Sequence, residues 1–391
     1  MTPAARLQAA IEILDEVVAS ARDDGPPADA IVTRYFKHRR YAGSKDRRAV
    51  RELVFRAVRN CAERPASGRS AMLGLIGEDP ELGCLLGEPR GPAPLQEGEK
   101  IAGSGLVPQW IEAELSSLVG KDEWPALLER APLDLRVNVA IASRDELLGQ
   151  FANGSATPFS PWGIRLPADS RIDDHPAFKN GLVEVQDEGS QLIALAGEPR
   201  DSEQIIDLCA GAGGKSLALA AAAPRASILA TDSNRARLSR LLPRAKRAGA
   251  SIETRLLHPH QERDMLGDWR EAADLVLVDA PCSGSGTWRR NPEGRWRLTS
   301  ERLDRLVGLQ ERLLEIASEL VKPGGRLIYA VCSLLSREGA GQIDRFLCGR
   351  SSWISEETPI SGGRLDGKGR LLTPGHDRTD GFFVARLRRL C

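Results

Sequence analysis

The 391 residues contain no CxxC pair, no internal repeat and no surplus of charge of either sign. The seven cysteines, at positions 61, 84, 209, 282, 332, 348 and 391, are odd in number and scattered. That spacing argues against a disulfide framework or a zinc site, and for a reducing compartment. Lys+Arg and Asp+Glu number 54 each, so only local clusters of charge can speak for a polyanionic partner. No run of about 18 apolar residues occurs, which argues against a transmembrane helix. The N-terminus lacks an apolar core segment and carries Glu12, Asp15 and Glu16, unlike an acid-poor transit peptide. The expectation is a cytoplasmic monomer without membrane contact.

What is present centres on Leu275-Val-Leu-Val-Asp279-Ala-Pro281-Cys282. Four apolar residues running into Asp-Ala-Pro-Cys-Ser-Gly predict a buried strand that stops at a turn. The stretch Arg326-Leu-Ile-Tyr-Ala-Val-Cys332 predicts a second strand ending in a cysteine. In open α/β sheets ligands sit beyond the carboxyl ends of strands. Asp279, Cys282 and Cys332 would then share one crevice, an arrangement suited to attack on an electron-poor ring. Carbon 5 of a pyrimidine is a poor nucleophile until a thiolate adds at carbon 6. An acid hydrogen-bonded at nitrogen 3 would stabilise the charge that develops.

Predicted strands at Gln204–Leu208, Ser227–Thr231, Ile252–Leu256, Leu275–Val278 and Arg326–Val331 alternate with helical stretches. Such alternation predicts an α/β fold with a parallel, doubly wound sheet. The tail Gly381–Leu387 predicts one more strand, antiparallel and at an edge. The first strand runs into Asp207-Leu-Cys209-Ala-Gly211-Ala-Gly213-Gly214-Lys215-Ser216. Glycines there let backbone N–H groups approach a ligand at a helix N-terminus. Cys209 stands where a Walker A loop needs glycine, and Ser216 where a dinucleotide fingerprint needs its third. A nucleoside-type cofactor without a phosphate chain remains. Asp232 ends the next strand about twenty residues on, the distance at which a carboxylate takes ribose hydroxyls. A glycine loop followed by an acid ending the second strand predicts S-adenosylmethionine. His258 and His260 form a pair without further ligands, so no metal site is expected.

Residues 5–65 predict helices, with Leu7, Ile11, Leu14 and Val18 on one face and Val50, Leu53, Val54, Ala57 and Val58 on another. Between Ile31 and Ser70 lie twelve Lys/Arg against three acids. Arg39, Arg40, Arg47 and Arg48, mixed with aromatics, mark a candidate RNA surface. Arg289 and Arg290 are added beside the Pro-Cys turn, where Trp288 and Trp296 could stack on bases. On a helix over 234–249, Arg237, Arg240, Arg244 and Arg247 share one face, open to RNA or merely to solvent. Pro- and Gly-rich residues between Ile76 and Lys100 predict a loose connection.

The motifs at 185–192 (VQDEGSQL), 207–216 (DLCAGAGGKS), 274–292 (DLVLVDAPCSGSGTWRRNP), 329–334 (YAVCSL) and 379–387 (TDGFFVARL) resemble those of the RsmB/Sun/Nop-type RNA cytosine-5 methyltransferases. LRVN at 135–138 and the basic N-terminal helices are similar too. The resemblance implies a helical RNA-binding domain like an antitermination factor (1–90), a linker (91–104) and a small RRM-like α+β module (105–175). It implies a class I methyltransferase domain over 176–391. It makes Cys332 the nucleophile, Cys282 the residue that helps release product, and Lys215 a group that orients them. It implies Cys209, Ala210, Gly211, Ala212, Gly213, Gly214, Lys215, Asp232 and Asp279 as contacts of S-adenosylmethionine. The implied substrate is ribosomal RNA, with transfer RNA as the alternative. A weakly active RNA-binding assembly factor is the other alternative, because the family's acid or amide after the third strand is replaced here by Leu256-Leu-His258-Pro-His260.

Overall fold

A computed structural model describes all of residues 1–391. The chain forms two compact units. The first comprises Met1–Leu115, Lys121–Glu129 and Thr287–Ser300; the second comprises Ser116–Gly120, Arg130–Gly286 and Glu301–Cys391. No helix is long and apolar enough to cross a membrane.

The first unit is helical, with helices at Pro3–Arg22, Ala28–Lys37, Ser44–Asn60 and Gly68–Glu78. Thr2 and Ser67 cap the first and fourth by accepting from backbone N–H groups that would otherwise lack partners. Ile13, Leu14, Val17, Val50, Val54, Val58 and Met72 fill its core, together with Trp296 from the distant segment 287–300. The Pro- and Gly-rich stretch after residue 76 is better held than its composition predicts. Pro80–Leu85 forms a 3-10 helix, and Arg69 grips the carbonyls of Ala93 and Pro94 and the carboxylate of Glu99.

The second unit holds two sheets. In the smaller, β1 (Leu133–Val137), β2 (Ser155–Ala156), β3 (Gly163–Leu166) and β4 (Val183–Val185) run antiparallel in the order β2-β3-β1-β4. Short helices at Arg144–Leu148 and Pro176–Lys179 complete a βαββαβ succession, the split-βαβ pattern. This module ends at Val185, beyond the expected boundary at 175. Residues 105–115, expected in the same module, lie in the helical unit.

The larger sheet contains β5 (Gln204–Asp207), β6 (Ser227–Asp232), β7 (Glu253–Leu256), β8 (Ala273–Asp279), β9 (Val321–Val331), β10 (Trp353–Glu356), β11 (Arg364–Asp366), β12 (Gly369–Leu372) and β13 (Phe382–Arg389). Its order is β11-β12-β13-β9-β8-β5-β6-β7, with β5 to β9 mutually parallel. Leu275 to Val278 and Leu327 to Val331 are all buried, as strands covered on both faces must be. β13 is antiparallel to β9, as predicted, but it is not an edge strand. β10 and β12 both pair with its outer side, leaving β11 and β7 at the margins. The chain winds outward from β5 through β7 and then returns to β8 on the other side of β5. That reversal opens a crevice at the carboxyl ends of β5 and β8.

Candidate active site

Asp207 ends β5, and the loop behind it turns on Gly211 and Gly213, both with positive φ. A Cβ on Gly213 would lie 2.4 Å from Leu241 Cγ, so glycine is required there by packing as well as by backbone conformation. A Cβ on Gly214 would meet only Gln186 Nε2 at 3.7 Å, so its missing side chain leaves room in the crevice. Asp232, ending β6, accepts from the N–H groups of Gly211 (2.8 Å) and Asn234 (2.7 Å). Its carboxylate both fixes the loop and keeps lone pairs for a ligand hydroxyl.

A cleft of about 200 Å³ is lined by Gln186, Asp207, Cys209, Gly214, Lys215 and Asp279, among others. Lys215 Nζ donates to Asp279 Oδ2 at 2.6 Å and lies 5.6 Å from the Phe382 ring centroid. Burial alone would lower the Lys215 pKa, but Asp279, with Cys332 and Asp207 behind it, raises it. Asp207 accepts from Ser216 Oγ at 2.6 Å through Oδ2, while its buried Oδ1 has no partner. Burial pushes this carboxyl up to about 7. Burial also pushes the Cys209 thiol up, well above the usual range.

Cys282 Sγ and Cys332 Sγ lie 3.2 Å apart. The hydrogen bond to the Cys332 sulfur, reinforced by burial, pushes the Cys282 thiol well above its ordinary range. Asp279 pairs with Ala330 across β8 and β9, so the ends of these two strands are level. The N–H of Gly286 also donates to the Cys332 carbonyl at 3.1 Å.

The structure thus brings Cys282 and Cys332 together and, separately, Lys215 and Asp279, at adjacent strand ends. Sequence reading missed Asp207, whose significance lies in an oxygen without a partner, and Arg136 of β1. Arg136 donates to the Gly214 carbonyl (2.7 Å) and to Gln186, and burial pulls its pKa down to about 10. The LRVN motif was the only signal for it.

Other expectations change. The helix over 234–249 breaks into Arg235–Leu238 and Leu241–Ala248. Arg244 and Arg247 are not merely solvated: both pair with Glu184, and Arg244 also donates to the Ala212 carbonyl at 2.6 Å, whereas Arg237 and Arg240 are exposed. Trp288 and Trp296 are 1% and 2% exposed, so neither ring is open to stack on a base. Arg289 is likewise buried in the helical unit, and Arg290 is half-buried. In the basic zone Arg39 lies over the Tyr35 ring and pairs with Glu12, and Arg47 donates to the Ala42 carbonyl. Arg40, Arg47 and Arg48 are exposed, and of these three only Arg47 has a side-chain hydrogen bond to the fold. After β7, His258 is exposed, and Glu262 is held by Arg312.

Residues 194–388 match the family described as 16S rRNA methyltransferase RsmB/F. The ribosomal RNA small subunit methyltransferase B of Enterobacter sp. (strain 638) is 35% identical over 290 residues, covering 72% of this chain and 66% of that protein. The protein of the same name from Salmonella arizonae is 34% identical over 293 residues, with coverage of 72% and 66%. The chain therefore spans about 66% of the length of the curated relatives it matches. Among solved structures, PH0851 is 22% identical and covers 100% of this chain and 99% of its own, with a TM-score of 0.77. NSun6 from Pyrococcus horikoshii, solved with SFG, is 19% identical over 72% of this chain and 97% of its own, with a TM-score of 0.65. A methyltransferase homolog from the same organism is 27% identical over 71% and 92%, with a TM-score of 0.61.

Proposed function

Through residues 194–388 the chain belongs to the 16S rRNA methyltransferase RsmB/F family, and from that premise we propose that it methylates carbon 5 of a cytosine in ribosomal RNA. The observation that carries the reading is the pair of sulfurs 3.2 Å apart at the strand ends that flank Asp279.

The residues present fit S-adenosylmethionine. The orphaned Oδ1 of Asp207 is a ready acceptor for an ammonium donor, Asp232 offers lone pairs to ribose hydroxyls, and Gly214 leaves open space. When bound, this cofactor supplies an electrophilic methyl group. Two thiolates at 3.2 Å would repel each other, so at most one of the pair gives up its proton at a time. Cys282, whose thiol is pushed up, keeps it. The Lys215 ammonium is engaged by the Asp279 carboxylate at 2.6 Å, at the strand end next to this pair. Cys332 adds to carbon 6 of the ring, and the charge that develops at nitrogen 3 is met by a proton passed through Asp279 from the Lys215 ammonium bonded to it. Once carbon 5 is methylated its proton must leave before the Cys332 bond can break. A base takes that proton, the C–H electron pair restores the C5=C6 double bond, and the sulfur leaves carbon 6 as a thiolate. Cys282, still carrying its own proton and in contact with that sulfur, is placed to hand it over. The raised Cys282 thiol fits its role as the protonated partner, and family likeness assigns Cys332 as the nucleophile.

The test is methyl transfer to 16S rRNA by the full chain with labelled cofactor. Cys332→Ala abolishes transfer, and Cys282→Ala accumulates a denaturant-resistant protein–RNA adduct. An adduct that persists in Cys332→Ala and vanishes in Cys282→Ala overturns the assignment. A second reading, a weakly active assembly factor, is favoured by Glu262, which Arg312 holds where the third strand would otherwise offer an acid. Calorimetry that finds no cofactor binding at high micromolar concentration selects that reading.

A further inference from the structure

Glu338 lies in the loop that follows β9 and is wholly buried, yet its carboxylate accepts from neutral donors. Oε1 accepts from the Ser283 N–H (2.9 Å) and from Gln310 Nε2 (2.9 Å); Oε2 accepts from Ser333 Oγ (2.6 Å). Ser283 follows Cys282 in the chain, and Ser333 follows Cys332. The same Gln310 amide donates to the carbonyl of Pro281, which precedes Cys282. Gln342 Nε2 fixes the orientation of that amide by donating to Gln310 Oε1 at 3.0 Å. Tyr329 donates to the Glu338 carbonyl at 2.7 Å, anchoring the residue from below. Each cysteine is therefore flanked by a hydrogen bond to one carboxylate.

Burying a carboxylate without a cation costs free energy unless hydrogen bonds compensate, so this arrangement needs a reason. We propose that Glu338 is a positioning residue that sets the separation of Cys282 and Cys332. The two loops also meet through Gly286 N–H on the Cys332 carbonyl (3.1 Å) and through Ser283 Oγ and Ser285 Oγ on Ser333 Oγ (3.2 and 3.1 Å). Glu338 is the group whose two carboxylate oxygens reach the residue after each cysteine, and so it ties the direction of one sulfur to that of the other. The role rests on the proposed catalytic use of the two thiols, but the spacing itself is measurable without catalysis.

Glu338→Gln keeps size and shape but turns one acceptor oxygen into a donor. Ser333→Ala removes the Glu338 link on the Cys332 side together with the contacts of that hydroxyl to Ser283 Oγ (3.2 Å), Ser285 Oγ (3.1 Å) and the Leu335 N–H (3.0 Å). In the full chain, diamide joins Cys282 to Cys332: the thiols lose two electrons and two protons to the N=N bond, giving a disulfide and a hydrazine. The rate of this cross-link, followed by mass spectrometry, reports the separation of the sulfurs with neither RNA nor cofactor present. The expected result is a rate reduced about tenfold in both variants. With 16S rRNA, kcat falls up to about 100-fold while KM for RNA stays within about twofold, as a small misplacement of reacting groups predicts. Cross-linking within about twofold of wild type in both variants overturns the proposal. So does slowing seen only where the far-UV circular dichroism spectrum has also collapsed, since Glu338 would then support the domain rather than the pair. A wild-type protein that cross-links rapidly but methylates no RNA refutes the function and leaves the role of Glu338 standing.

Discussion

Asp207 has a carboxyl oxygen with no partner and a pKa pushed up to about 7 by burial. The sign of its pH effect follows. Below about 4 the group is protonated in both folded and unfolded chains. Between there and about 7 only the folded protein keeps the proton, so this residue's contribution to stability falls as pH rises and then levels off. Asp207→Asn removes that slope, as urea denaturation at pH 5, 6, 7 and 8 (about one unit apart) will show. A ligand ammonium that pairs with the carboxylate reverses the burial effect, so cofactor binding at pH near 6 should release a proton. Calorimetry in buffers of different ionisation enthalpy measures that release, and its absence would remove Asp207 from the cofactor site. Asp279, Cys282 and Cys332 were legible because each ends an apolar run at a turn. Asp207, Arg136 and Glu338 were not, because what distinguishes them is a partner, or the lack of one, across the fold. Arg136 reaches a carbonyl 78 residues away, and no local pattern records that.

The parallel strands were legible as elements, since burial on both faces writes them as unbroken apolar runs. The position of β13 was not: period and composition show a strand, but not which neighbours cover it. The ion pairs of Arg244 and Arg247 were not legible for a related reason, because their partner Glu184 lies on another sheet. At this scale the glycine loop is the sensitive element. Gly213→Ala combines a positive φ with a 2.4 Å clash against Leu241 and should cost roughly 1–3 kcal/mol. Denaturant unfolding reads the loss, and cofactor affinity should fall with it because the loop's N–H groups lose their arrangement.

Across the whole molecule, each unit has its own apolar core. Trp296→Ala removes a ring 2% exposed and a hydrogen bond from Nε1 to the Cys61 carbonyl, and should destabilise the helical unit by about 3–5 kcal/mol. Proteolysis or circular dichroism melting would reveal an early transition confined to helices. The basic zone divides into engaged and available charges. Neutralising Arg40 and Arg48 should weaken RNA binding more than neutralising Arg39 and Arg47, whose guanidinium groups already serve the fold. Each phosphate left without its cation flattens the slope of log affinity against log salt by about 0.7–0.9. Equal effects from both pairs, read by filter binding at several salt concentrations, would make the zone an undifferentiated surface.

Residues 287–300 return to the helical unit after the chain has already built most of the second. A fragment cut before residue 287 would leave the helical core without Trp296, so truncating the chain at the end of its N-terminal helices cannot yield the complete first unit.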